Sequence, residues 1–160
     1  MHARAATEAG AERALSERMG LRRVLLVDDN ETFRESVKAA LHHAGYGVCA
    51  VADAKSALDV VQRMEPSIAL VDVEMPGMSG TELVQELNRR GAAFPVIAIS
   101  GVASESSSPA KWFVRKPIDL DLLLRVLDDF CGRGMPSALW MRAPDAGRAP
   151  AVDLAEAFAR

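Results

Sequence analysis

Several ingredients are scarce in this chain, and each scarcity removes a class of function. There are two cysteines, Cys49 and Cys131, with no histidine or second cysteine at ligand spacing. A structural zinc site or a disulfide framework is therefore not expected, and both read as ordinary thiols of a reducing compartment. Charge of one sign is also missing. Nineteen Lys and Arg stand against 22 Asp and Glu, for a net charge of −3, without the basic excess of a surface that binds nucleic acid. No apolar run approaches the roughly 20 residues of a membrane-spanning helix. Residues 1–21 lack a continuous apolar stretch, so no secretory signal is expected, and Glu8, Glu12 and Glu17 count against a transit peptide. A cytoplasmic protein with neither nucleic acid nor membrane as partner is the expectation.

What the chain does have is alternation. Hydrophobic residues make up 49% of its 160 positions, enough for one core in a chain too short for two full domains. Five apolar runs, at 24–27, 46–51, 68–71, 96–99 and 112–115, alternate with segments of helical period. Phe33, Val37, Ala40 and Leu41 share one helix face before Gly45. Asp53 is a natural N-cap for a helix that buries Ala57, Leu58 and Val61 and stops before Pro66. A third helix over 81–90 turns Leu83, Val84 and Leu87 inward, and a last one spans 120–130. Continuously apolar strands are buried on both faces, which predicts a parallel sheet covered by helices. The expected fold is thus α/β: a doubly wound, five-stranded parallel sheet over 22–132. An N-terminal extension over 1–21, partly helical or disordered, would precede it. A tail over 133–160 would follow, with a short helix at 151–160.

In such a sheet the strands' C-terminal ends share one edge, where ligands bind. Four of the five runs end there on polar groups: Asp28-Asp29, Asp72, Ser100 and Lys116. Clustered carboxylates repel, so three together call for a cation. An all-oxygen set without His or Cys selects a hard divalent ion, and magnesium suits one that meets a phosphoryl group. Lys116 adds a second positive charge. A carboxylate can attack phosphorus and form an acyl phosphate, a transfer in which the protein mainly positions groups and neutralises charge. Asp72, ending a central strand, is the expected nucleophile. Asp28 and Asp29 would hold the metal, one directly and one through water, with Ser100 and Lys116 on the phosphoryl oxygens. Helix capping alone would account for Asp28-Asp29 but not for the set.

The segments VLLVDDN at 24–30, LVDVEMPGMSG at 70–80, PVIAISG at 95–101 and FVRKP at 113–117 resemble the response-regulator receiver domain of two-component systems. The resemblance covers about 22–132 and implies flavodoxin-like strand order. It implies Mg2+-dependent transfer of a phosphoryl group to Asp72 from a histidine kinase or histidine phosphotransfer protein, and signalling through a downstream protein partner. By the same pattern Asp29, Asp72 and the backbone carbonyl of Glu74 bind magnesium while Asp28 supports the ion. Lys116 bonds the phosphate, Ser100 moves toward it, Phe113 takes the position of a coupled aromatic switch, and Pro117 carries a cis bond. Such a protein is a phosphoacceptor, not an enzyme, and catalyses only its own phosphorylation and dephosphorylation.

The chain departs from the pattern between Ser100 and Lys116, where only fifteen residues intervene. Residues 101–111, GVASESSSPAK, are barely enough for a parallel crossover and form poor helix interior. The fourth helix is expected to be short, irregular or replaced by a loop, and this loop would order on phosphorylation. Pro136, Pro144 and Pro150 exclude a helix-turn-helix from the tail. Phe113 is as well explained by core packing as by a switch. Trp112 should face the other way, close enough to the site to report on it, and Trp140 with Met141 form an exposed apolar pair. His42 and His43 sit at a helix end and carry no assigned role. Glu74, two residues past Asp72, is placed to gate attacking water. One competing function is a receiver-fold adaptor that works without phosphorylation; its mark would be a lost aspartate or lysine, and none is lost. A haloacid-dehalogenase-like phosphatase would need an acid followed by Thr after the nucleophile, near the chain start, and Asp72-Val73-Glu74 fails both conditions.

Overall fold

The apolar runs become strands because each can bury both faces at once. The computed structural model describes residues 22–101, 109–131 and 152–158. Within them β1 (Arg23–Val27), β2 (Gly47–Val51), β3 (Ile68–Asp72), β4 (Val96–Ser100) and β5 (Trp112–Arg115) form the expected parallel sheet. A sixth strand, β6 (Val152–Asp153), joins it, in the order β2-β1-β3-β4-β5-β6. Every pairing is parallel. Val24 through Val27 and Ile68 through Val71 are wholly shielded from solvent, as central strands covered on both sides should be.

Helices α1 (Glu31–His43) and α4 (Leu120–Cys131) pack Val37, Leu41, Leu123 and Leu127 against one face of the sheet. Helices α2 (Ala54–Arg63) and α3 (Gly80–Arg89) pack Ala57, Leu58, Leu83 and Leu87 against the other. The alternation of side chains along β5 sends Trp112 and Val114 to the first face and Phe113 to the second. Trp112 meets the Phe130 ring edge-on, with centroids 5.1 Å apart.

Caps fix the helix starts. Asn30, not Asp28 or Asp29, accepts the amide hydrogen bond of Phe33 at 2.9 Å, so both aspartates are released from capping duty. Asp53 caps α2 as expected, and Ser79 with Glu82 forms a reciprocal capping box on α3. The second strand begins one residue later than its apolar run. Tyr46 stays buried, its hydroxyl donating to Asp128 of α4 at 2.6 Å, and burial together with that carboxylate pushes the phenol pKa up.

The C-terminal segment differs from the helix expected at 151–160. Val152 and Asp153 are strand, and α5 (Leu154–Phe158) covers only five residues. Edge pairing with β5 explains the difference: Val152 N–H donates to the Lys111 carbonyl at 2.8 Å, a bond a helix there would forgo. The expected short fourth helix, its ordering on phosphorylation, the N-terminal extension and the Trp140–Met141 pair all fall outside the described residues.

Gly80 opens α3 hard against the end of β3. A Cβ there would lie 1.9 Å from the Asp72 carbonyl oxygen, a clash between main chains that no side-chain rotation relieves. Gly80→Ala is expected to lower the unfolding free energy by about 1–3 kcal/mol, measured by urea denaturation with an unchanged m-value.

Candidate functional site

The sheet brings the expected polar residues to one edge. Asp72 is the last residue of β3, Ser100 the last of β4, and Asp28 and Lys116 directly follow β1 and β5. One carboxylate oxygen from each of Asp28, Asp29 and Asp72 lies within 4.8 Å of the others. Asp28 is fully buried and Asp72 is 3% exposed, whereas Asp29 faces solvent.

Lys116 joins two of the three. Its Nζ donates to Asp28 Oδ2 at 2.9 Å and to Asp72 Oδ2 at 3.2 Å. The remaining oxygens are also placed: Asp28 Oδ1 accepts from the Asn30 amide at 2.8 Å, and Asp72 Oδ1 from the Glu74 amide at 3.2 Å. Burial, reinforced by the Asp28 charge, pushes the Asp72 carboxyl above its usual range, against the Glu74 amide and Lys116. Burial opposes the Lys116 charge too, but there hydrogen bonds to Asp28 and Asp72 prevail and its pKa lies above normal. The ammonium is thus held in its charged form, while ionising Asp72 costs more than ionising a free carboxyl. That is the electrostatic signature of a site short of positive charge.

The donor set suits a hard divalent cation: three carboxylates, no nitrogen or sulfur, and an open side at exposed Asp29. Glu74 touches Asp72 through its backbone amide, and its side chain leans across toward Gly101, where a Cβ would lie 3.4 Å from Oε2. Ser100 is tied to the site through its main chain, its carbonyl accepting the Lys116 amide at 2.8 Å. Phe113 is 4% exposed and packs in the α2–α3 core, with the Arg115 guanidinium 5.7 Å from its ring centroid. Trp112 does not lie beside Asp72. It starts β5 while Lys116 follows its end, about 13 Å away along the strand.

Two further residues support the cluster and carry no motif that would have singled them out. Lys116 Nζ sits 4.6 Å from the centroid of the Phe33 ring, a cation–π contact that holds the ammonium from its apolar side. Arg34 donates from a guanidinium nitrogen to the Asp28 carbonyl at 2.8 Å, fixing the turn between β1 and α1. In sequence, Phe33 reads as one more residue of a core-facing helix stripe and Arg34 as a solvated charge.

The geometry agrees with what is similar to this chain. A family model described as the response regulator receiver domain matches residues 24–128. The transcriptional regulatory protein FixJ of Bradyrhizobium diazoefficiens is 28% identical over 121 residues, 72% of this chain and 59% of that protein. An uncharacterized 14.6 kDa protein of Leptolyngbya boryana is 30% identical over 123 residues, 72% of this chain and 94% of that one. Against FixJ and the response regulator MprA of Mycolicibacterium vanbaalenii, the chain spans about half of the relative's length. Among solved structures, Vibrio cholerae chemotaxis protein CheY4 superposes with a TM-score of 0.63 at 28% identity, covering 68% of this chain and 97% of that one. Response regulator TrrA of Thermotoga maritima, solved in complex with Mg2+-BeF, gives 0.64 at 27% identity, covering 69% and 99%. Among the described residues no helix is long and apolar enough to cross a membrane. The chain belongs to the response regulator receiver domain family.

Proposed function

We propose that this protein is a phosphorylation-dependent switch that accepts a phosphoryl group on Asp72 from a histidine kinase or histidine phosphotransfer protein in the cytoplasm. One observation carries this: three carboxylates converge within 4.8 Å at the sheet edge, with the Lys116 ammonium bridging Asp28 and Asp72. In the transfer, a carboxylate oxygen of Asp72 forms the new bond to phosphorus as the bond to the donor's histidine nitrogen breaks. That nitrogen leaves as imidazole. Asp28, Asp29, Asp72 and the Glu74 carbonyl would hold Mg2+, which when bound neutralises charge on the carboxylates and the incoming phosphoryl group. Lys116 follows the phosphoryl oxygens, Ser100 closes on them, and the Glu74 side chain, near Gly101, controls approach of the hydrolytic water. Phe113 links this rearrangement to the core, and the signal leaves through contact with a downstream protein.

Loading with beryllofluoride or acetyl phosphate in the presence of MgCl2 tests this, followed by intact mass and NMR rather than by Trp112 fluorescence alone. The expected result is a saturable response that Asp72→Ala and EDTA each abolish. Binding of Mg2+ with no response at Asp72 would favour a phosphorylation-independent adaptor instead. Glu74→Ala is expected to change the lifetime of the aspartyl phosphate, read by a dephosphorylation assay; an unaltered rate would remove this role for its side chain.

The raised Asp72 pKa also sets a pH signature. An acid whose folded-state pKa exceeds its unfolded value costs the fold stability when both states are ionised, and the cost fades as pH falls through the folded pKa. Asp72→Asn should therefore raise Tm at pH 8 without Mg2+, and the gain should shrink as pH falls toward the carboxylate range. Thermal melts across pH check it.

A further inference from the structure

Phosphoryl transfer requires Lys116 to change partners. In the unloaded site its ammonium donates to Asp28 Oδ2 at 2.9 Å and to Asp72 Oδ2 at 3.2 Å. Once an Asp72 oxygen carries phosphorus, the second bond is exchanged for one to a phosphoryl oxygen. A lysine head is strongly hydrated and rides on a flexible stem, and this side chain is 26% exposed. A contact other than Asp72 has to keep the ammonium in the site during the exchange, against the pull of water.

A closed loop of contacts that bypasses Asp72 does this. Lys116 Nζ bonds Asp28 Oδ2. Asp28 Oδ1 accepts from the Asn30 amide at 2.8 Å, and Asn30 Oδ1 accepts from the Phe33 amide at 2.9 Å. The loop closes where the Phe33 ring returns to Lys116, with Nζ over it and 4.6 Å from its centroid. Phe33 is itself firmly placed. Its backbone lies in the first turn of α1, and its half-buried side chain packs against the core shared by α1 and α4.

The chemistry of that last contact suits an ammonium that must move. A carboxylate or carbonyl in the ring's place would compete with the phosphoryl group as a hydrogen-bond acceptor. The face of an aromatic ring instead attracts a cation through its quadrupole, anywhere within about 6 Å of the ring centre. A leucine would fill the same apolar space without attracting charge. We propose that Phe33 is a positioning residue for phosphoryl transfer: its ring, tied through Asn30 to Asp28, keeps the Lys116 ammonium in place while Asp72 Oδ2 is exchanged for a phosphoryl oxygen. This role rests on Asp72 being the phosphoacceptor. Phe33 acts through Lys116 and does not touch the reacting atoms.

The test compares the full chain with Phe33→Leu and Phe33→Tyr, each given acetyl phosphate and MgCl2, from which Asp72 takes the phosphoryl group as acetate leaves. Intact mass follows the rate, NMR titration the Mg2+ affinity, and circular dichroism the fold. Phe33→Leu should lower the maximal rate about five-fold, the size of a lost cation–π contact, with Mg2+ affinity unchanged. Phe33→Tyr, which restores the ring, should recover the rate to within about two-fold. A spectroscopic signature separates positioning from packing: the ring current of Phe33 shifts the Lys116 Cε protons upfield, and the shift should survive loading with beryllofluoride. Equal rates for Phe33→Leu and the unaltered chain, a Phe33→Tyr rate as low as that of Phe33→Leu, or loss of the upfield shift on loading overturns the role of Phe33. If Phe33→Leu does not fold, the shift in the unaltered chain decides alone. An unaltered chain that neither acetyl phosphate nor beryllofluoride loads overturns the phosphoacceptor function itself, and the role of Phe33 with it.

Discussion

Three carboxylates gathered within 4.8 Å, two of them buried, form a repulsive arrangement, and the position of Lys116 is what allows it to persist. That position is a property of the whole sheet. The Lys116 amide is held by the Ser100 carbonyl at the end of the β4–β5 ladder, and its ammonium rests on the ring of Phe33 from α1. A slip of one residue in β5 would exchange Trp112 and Phe113 between the two cores and send Lys116 to the wrong face. Packing of the apolar strands and electrostatics of the polar edge therefore specify the same register.

The site is also anchored from behind. Gly80 lets α3 begin in contact with the Asp72 carbonyl, and the capping box of Ser79 and Glu82 fixes the direction in which that helix leaves. On the other side Arg34 holds the Asp28 carbonyl and Asn30 both caps α1 and donates its amide to Asp28. Ion-pair strength matters less here than geometry: Lys116 is 26% exposed and spans two acids, so each charge is satisfied in place rather than strongly stabilised.

Much of this is legible in sequence because strand burial and strand ends write strong local signals. The run 68–71 is apolar without alternation because β3 is covered on both faces, and Asp72 follows it because the edge of the sheet lies there. Asp53 and Gly45 mark their helix boundaries by side-chain and backbone chemistry alone. Phe33 and Arg34 are not legible in that way, since their roles arise from contacts with Lys116 and Asp28 across the β1–α1 turn. Nor is β6. Two residues have no period, and Asp153 becomes informative only once Arg115, 38 positions earlier, lies beside it.

The two-residue length of β6 bears on solubility as well as on structure. A parallel sheet closed by a long, flat edge strand offers a template for further strands from other chains. Here the last ladder is short, carries an acid, and turns at once into α5. The apolar strand β5, with Trp112, Phe113 and Val114 in sequence, is thereby kept from presenting an open row of amides and carbonyls to its neighbours in a crowded cell.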